Sequence, residues 1–163
     1  MSLATGKLRY APTGGRAGEL AAGLRRAGLR LTQQRLAVCR ALAESRNHPT
    51  AQGLFDRLRP TCPSLSRATV YNTLLALAGA GLVDELGTAG DGALHYDADP
   101  SPHVNLVCTN CHRIEDFADV PLRSVARRVA AGSGYQLRGA RVVYYGLCPR
   151  CQKQKRKPSS VTR

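Results

Sequence analysis

Four of the six cysteines fall into two Cys-x-x-Cys pairs, Cys108 with Cys111 and Cys148 with Cys151. A two-residue spacer makes a tight turn that aims both sulfurs at one point. Two such turns supply four thiolates, the donor set of tetrahedral zinc with Zn–S bonds of about 2.3 Å. Four sulfurs leave no open coordination position, so the expected role is structural, contributing on the order of 10 kcal/mol to folding. A dithiol redox switch is the other reading of paired thiols. A zinc deaminase would need His-x-Glu ahead of Pro-Cys-x-x-Cys, and His112-Arg113-Ile114-Glu115 has the wrong spacing. Cys39 and Cys62 have no such partner; Cys39 reads as a core thiol and Cys62 as a loop residue.

A second set of donors is looser. The histidines are His48, His95, His103 and His112, and near them in the sequence stand Asp97, Asp99, Asn105, Glu115 and Asp116. On a strand, His103 and Asn105 point to one face. Mixed nitrogen and oxygen donors suit Fe(II), Mn(II) or Zn(II). Members drawn from both sides of a linker would let an ion fix the angle between the flanking domains. His48 precedes Pro49 and so also fits an ordinary turn, while His95 and His112 read as wing or surface residues.

The elements that must position these groups follow from periodicity and caps. Residues 1–18 carry Gly and Arg without periodicity and read as a flexible basic arm. Leu20, Leu24 and Ala27 mark a short helix ending near Gly28, and Thr32 caps a second over Gln33 to Glu44, with Leu36, Cys39, Leu42 and Ala43 on one face. Thr50 caps a third over Ala51 to Leu58, burying Leu54, Phe55 and Leu58. Ser66 caps a fourth from Arg67 to Gly79, with Val70, Leu74 and Leu77 inward. Two short strands around Gly90-Asp91-Gly92 then make a hairpin. Helices followed by a hairpin are the order of a winged helix-turn-helix, which sets one helix in the major groove. Arg67, Thr69, Tyr71 and Asn72 are its candidate DNA contacts; Tyr71 also fits a place inside the domain.

Asp99-Pro100-Ser101-Pro102 is the hinge. Beyond it, HVNLVC and HRIEDF read as paired strands across the first cysteine turn, and Val120 to Ala131 as a helix with Leu122, Val125 and Val129 inside. ARVVYYGLC reads as a third strand leading to the second cysteine pair, and residues 153–163 as a basic tail. The expected fold class is α+β: a winged-helix domain over 19–98, a hinge at 99–102, and a small α/β domain over 103–152 with the four-cysteine zinc site.

Composition narrows the partners. The 163 residues carry 24 Lys+Arg against 11 Asp+Glu, a net charge of +13 that favours a polyanion such as double-stranded DNA. A basic solvated surface is the bland alternative. No apolar run approaches the roughly 18 residues of a membrane span, and the first twenty residues lack the apolar block of a signal peptide. A soluble, cytoplasmic protein without membrane contact is expected. The chain shows no Ser/His/Asp set and no glycine-rich phosphate loop, so an enzyme, including a thiol oxidoreductase, is not expected.

The segments GLRLTQQR, NHPTAQGLF, SLSRATVYNTLLALAGAGLV, HVNLVCTNCHRIEDF and YYGLCPRC together resemble the Fur (ferric uptake regulator) family of metal-dependent repressors, from about Leu24 to Cys151. The resemblance implies a homodimer whose C-terminal domains dimerise and which binds near-palindromic operators when metallated. It assigns structural zinc to Cys108, Cys111, Cys148 and Cys151, and a regulatory Fe(II) or Mn(II) site to His48, Asp97, His103, Asn105 and Asp116. Aspartates at 97 and 116 resemble the peroxide-sensing PerR branch, in which a ligand histidine is oxidised; His48 and His103 are the matching targets. A sensor of iron or manganese occupancy alone is the alternative within the family. The sequence departs from the family at Asn105, where histidine is usual, a change expected to weaken zinc and nickel more than manganese. Pro102, Val104 and Arg123 replace ligands of a further family metal site, which is expected to be absent.

Overall fold

The computed structural model describes residues 14–99, 101–137 and 139–155. They form two compact units. One runs up to Glu85 and includes Tyr96–Asp99; the other comprises Leu86–His95 and the chain beyond Asp99.

Four helices build the first unit: α1 (Arg16–Arg26), α2 (Gln33–Ala43), α3 (Ala51–Leu58) and α4 (Arg67–Gly79). The expected caps all form. Thr32, Thr50 and Ser66 accept from the backbone N–H groups of Arg35, Gly53 and Thr69 at 3.3, 3.0 and 3.1 Å, each satisfying a donor the first helical turn leaves open. Leu20, Leu24, Val38, Leu42, Leu54, Val70, Leu74 and Leu77 meet in one core, each such side chain adding roughly 1.5–3 kcal/mol. Cys39 belongs to this core, and its burial pushes the thiol up to about 12. Phe55 is only half-buried at the core's edge.

α1 begins at Arg16, earlier than the periodicity indicated, because Arg16 is anchored by its side chain. Its guanidinium donates to the carbonyls of Ala98, at 2.6 Å, and Leu82. Of the expected basic arm, residues 1–13 lie outside the described residues.

Strands β1 (Asp84–Thr88) and β2 (Leu94–Asp97) form the expected hairpin. Asp91 organises its turn, accepting from Ala93 N–H at 3.1 Å and lying 3.0 Å from His95 Nε2. The Ala93 N–H, then His95, hold its carboxyl below the usual range. His95, expected as a wing or surface residue, lies in the hairpin strand β2 and is buried there. Leu86 and Ala89 pack with Val107, Ile114 and Val143, so the hairpin's outer part contributes to the second unit's core.

The second unit carries a three-stranded sheet of order β4-β3-β5, formed by β3 (Val104–Cys108), β4 (Ile114–Phe117) and β5 (Val142–Gly146). β3 runs antiparallel to β4, with Asn105 opposite Asp116, and parallel to β5, with Asn105 opposite Val143. Opposed residues share a face. Asn105, Val107 and Ile114 on one face are buried, whereas Leu106, Phe117 and Tyr144 on the other are exposed.

Helix α5 (Leu122–Ser133) corrects one expectation. None of its residues is buried, and Val125 and Val129 are 51 % and 49 % exposed. Their spacing makes an apolar stripe, which is left exposed among the described residues. Helix α6 (Pro149–Lys155) includes the first three residues of the expected tail; residues 156–163 lie outside the described residues.

Candidate metal centres and nucleic-acid face

The cysteine pairs sit where β3 and β5 end. Cys108 closes β3, and the turn after it brings His112 N–H back to Cys108 O at 2.9 Å. Cys148 follows β5, and α6 carries Cys151. Because β3 and β5 are parallel neighbours, both turns open at the same sheet edge. The four sulfurs lie within 4.8 Å of one another, and Cys111 and Cys148 are 3.8 Å apart. Tetrahedral zinc with ordinary bonds sets sulfurs about 3.8 Å apart, so the donor set fits zinc in number, type and spacing.

Polar groups around the sulfurs prepare them for a cation. Backbone N–H groups of Cys148, Cys111 and Asn110 hold the Cys108 thiol down to about 5. Cys151 moves the other way: Asn110 lowers it, but burial and the three neighbouring sulfurs push it up to about 11. One thiolate is stabilised where four would repel, the imbalance a divalent cation removes. Asn110, whose amide donates to Cys151 Sγ at 3.3 Å, was not singled out from sequence. Its position inside the Cys-x-x-Cys turn is the signal that would have found it.

The looser donors belong to both units. In the first, Tyr96 N–H donates to Pro49 O at 3.1 Å, tying the loop before α3 to β2. This places His48 Nε2 3.8 Å from Asp97 Oδ2, with both side chains buried. The other Asp97 oxygen accepts from Asp99 N–H at 2.8 Å. His48 bends the chain with a φ of 44°, a conformation side-chain-bearing residues rarely adopt.

In the second unit, His103, Asn105 and Asp116 converge. His103 Nδ1 lies 2.7 Å from Ser101 O. A carbonyl only accepts, so Nδ1 carries a proton, and a neutral ring then presents its lone pair at Nε2. Asp116 Oδ1 is 3.6 Å from that nitrogen, and Asn105 Nδ2 is 3.3 Å from it. Asn105 is 3 % exposed, and its Oδ1 is buried with no hydrogen-bond donor among the described residues. An imidazole nitrogen, a carboxylate and an unsatisfied amide oxygen fit a divalent cation of intermediate hardness. Glu115 instead pairs with Arg113 at 2.9 Å. His112, expected as a wing or surface residue, is half-buried and bonds to Ala89 O in the hairpin turn.

On α4, Arg67, Tyr71 and Asn72 are exposed, Tyr71 by 53 %. Tyr71 is therefore not a core residue. Thr69 is half-buried, and its hydroxyl is 2.9 Å from Ser66 Oγ within the cap. The Arg67 guanidinium lies over the Phe55 ring, 5.4 Å from its centre, which steadies a long cation beside the helix start.

A four-helix unit with a winged hairpin, a small sheet and a four-cysteine centre define a class of metal-dependent winged-helix regulator. The model of the ferric uptake regulator family matches residues 26–145, and the chain belongs to that family. It is 37 % identical over 134 residues to the peroxide-responsive repressor PerR of Staphylococcus aureus, covering 82 % of this chain and 90 % of that one. The fold is similar to that of the Campylobacter jejuni peroxide stress regulator, with a TM-score of 0.66 and 29 % identity over 82 % of this chain and 96 % of that one. It is similar as well to the ferric uptake regulator of Pseudomonas aeruginosa solved with manganese, with a TM-score of 0.66 and 28 % identity over 78 % and 96 %.

Proposed function

We propose that the protein is a peroxide-responsive, metal-dependent transcriptional repressor, a cytoplasmic homodimer that binds double-stranded operator DNA. The observation that carries this reading is the 37 % identity to a peroxide-responsive repressor across most of both chains. No helix among the described residues is long and apolar enough to cross a membrane.

The cysteine centre holds zinc and secures the second unit. His48, Asp97, His103, Asn105 and Asp116 form the regulatory site, and its ion fixes the DNA-binding form. Ferrous iron supplies the reactivity toward peroxide, and His48 and His103 are the side chains that become oxidised. The Ser101 carbonyl holds His103 in the tautomer that offers Nε2 to a cation. Burial of His48 and His103 shields both rings from bulk solvent. The exposed apolar stripe of α5 and the Leu106–Tyr144 sheet face supply the dimer surface, since apolar areas of this kind are rarely left open to water. Arg67, Thr69, Tyr71 and Asn72 form the DNA face of α4. In the dimer, two such helices enter major grooves one helical turn apart, about 34 Å.

The test is peptide mass spectrometry after a brief peroxide pulse on Fe(II)-loaded protein, with Mn(II)-loaded protein as control. Oxygen addition at His48 or His103 with iron only is expected, together with loss of operator binding. Bound iron with both histidines unmodified would refute peroxide sensing and leave a regulator that reads metal occupancy.

A further inference from the structure

Asn105 occupies a central position of β3, opposite Asp116 and Val143. A valine or leucine would satisfy such a place without any polar group to accommodate. Instead the position carries a carboxamide whose oxygen is buried with no donor among the described residues. An unsatisfied buried acceptor is a standing penalty, and natural proteins keep few of them without a use. The amide nitrogen rests 3.3 Å from His103 Nε2, the nitrogen that the Ser101 contact leaves as an acceptor. A half-turn of the amide exchanges its nitrogen for its oxygen on that side. The two oxygens of Asn105 and Asp116 and the single nitrogen of His103 then face one locus.

We propose that Asn105 is the ion-selecting residue of the regulatory site, turning its amide oxygen to the ion and favouring Mn(II) and Fe(II) over Zn(II) and Ni(II). This rests on the regulatory-site reading given above. An imidazole at this position would add a nitrogen donor, which suits zinc and nickel. The amide oxygen is neutral and hard, so it contributes a bond without the preference for those ions. An aspartate would add charge and strengthen every divalent ion together; the amide avoids this. Selection therefore comes from donor type rather than from total affinity.

The experiment uses full-length protein with zinc retained at the cysteines and the exchangeable ion removed by mild chelation. Mn(II), Ni(II) and Zn(II) are titrated in competition with a chromogenic chelator. Asn105→His is expected to raise the Zn(II)-to-Mn(II) affinity ratio by about 10-fold or more, the scale of single changes around a metal site. Asn105→Leu is expected to weaken Mn(II) while raising the melting temperature of the metal-free protein, because it removes the unsatisfied oxygen. His103→Ala reports on the site itself. If it abolishes Mn(II) binding but Asn105→His leaves the ratio unchanged, the selecting role is overturned and the site stands. If His103→Ala leaves Mn(II) affinity unchanged, the site reading fails, and the selecting role with it.

Discussion

The His112 imidazole donates from Nδ1 to the carbonyl of Ala89, 2.9 Å away. His112 directly follows Cys111 of the four-cysteine centre and adopts a φ of 58°. Gly90, at φ +95°, leaves room for the ring, since a Cβ there would stand 3.1 Å from Nδ1. The turn of the hairpin is thereby fastened to the cysteine knuckle within the second unit. His112→Asn keeps the backbone bend, which asparagine tolerates, but removes the ring. Backbone amides of Leu86 to Ala89 should then exchange with deuterium faster while zinc content stays unchanged. The loss of stability should be about 1 kcal/mol. Unchanged exchange would show that the apolar contacts of Leu86 and Ala89 hold the hairpin alone.

Cys111→Ser should release zinc and unfold the second unit. Its core is small: Leu86, Ala89, Val107 and Ile114 are its buried apolar cluster. Such a core cannot offset the entropy of ordering the sheet without the metal. Zinc quantitation alongside circular dichroism checks this. The helical signal of α1 to α4 should persist while the second unit melts; a zinc-free protein with an intact sheet would contradict the structural role.

Arg67→Ala should weaken duplex DNA binding by roughly 10-fold at moderate salt and lower the salt slope by about one. The fold should lose no more than about 1 kcal/mol, from the contact with Phe55. Fluorescence anisotropy across a salt series, paired with thermal melts, separates the two effects. Equal affinity for the variant and the parent would remove Arg67 from the DNA face.

Cys39 gives a pH prediction with a definite sign. Burial lifts its thiol from 9.0 to about 12, so the folded state holds its proton more tightly than the unfolded chain does. This contribution is complete below pH 9.0 and is lost as pH rises toward about 12. Its slope approaches about 1.4 kcal/mol per pH unit. Cys39→Ala should destabilise at neutral pH through a small cavity, and the gap to the parent should narrow in alkali. Urea melts at pH 7 and pH 10 measure it; a gap that widens with pH would overturn the burial argument.

The first unit was nearly all legible in the sequence, because each helix after the first carries its own start signal. Thr32, Thr50 and Ser66 cap where their positions indicate, and α3 and α4 have the expected ends. The four-cysteine centre was legible because two equal spacings at two strand ends converge through a parallel sheet. Other features depend on contacts between distant residues. Arg16 lengthens α1 by reaching Leu82 and Ala98, positions no local window connects. The period of α5 shows an apolar stripe but not what covers it, so Val125 and Val129 were expected inside and are exposed. The arrangement of His103 and Asn105 on one face follows from strand alternation. The Ser101 contact that sets the ring's tautomer does not, because it arises in the loop before β3.

The left-handed bend at His48 bears on how this position would drift under mutation. A non-glycine residue held at φ 44° carries strain on the order of 1–3 kcal/mol. Glycine or asparagine would relax it at once, so most neutral pressure at position 48 runs toward a firmer first unit without an imidazole. Histidine at this bend thus carries a backbone cost that the proposed regulatory role would justify.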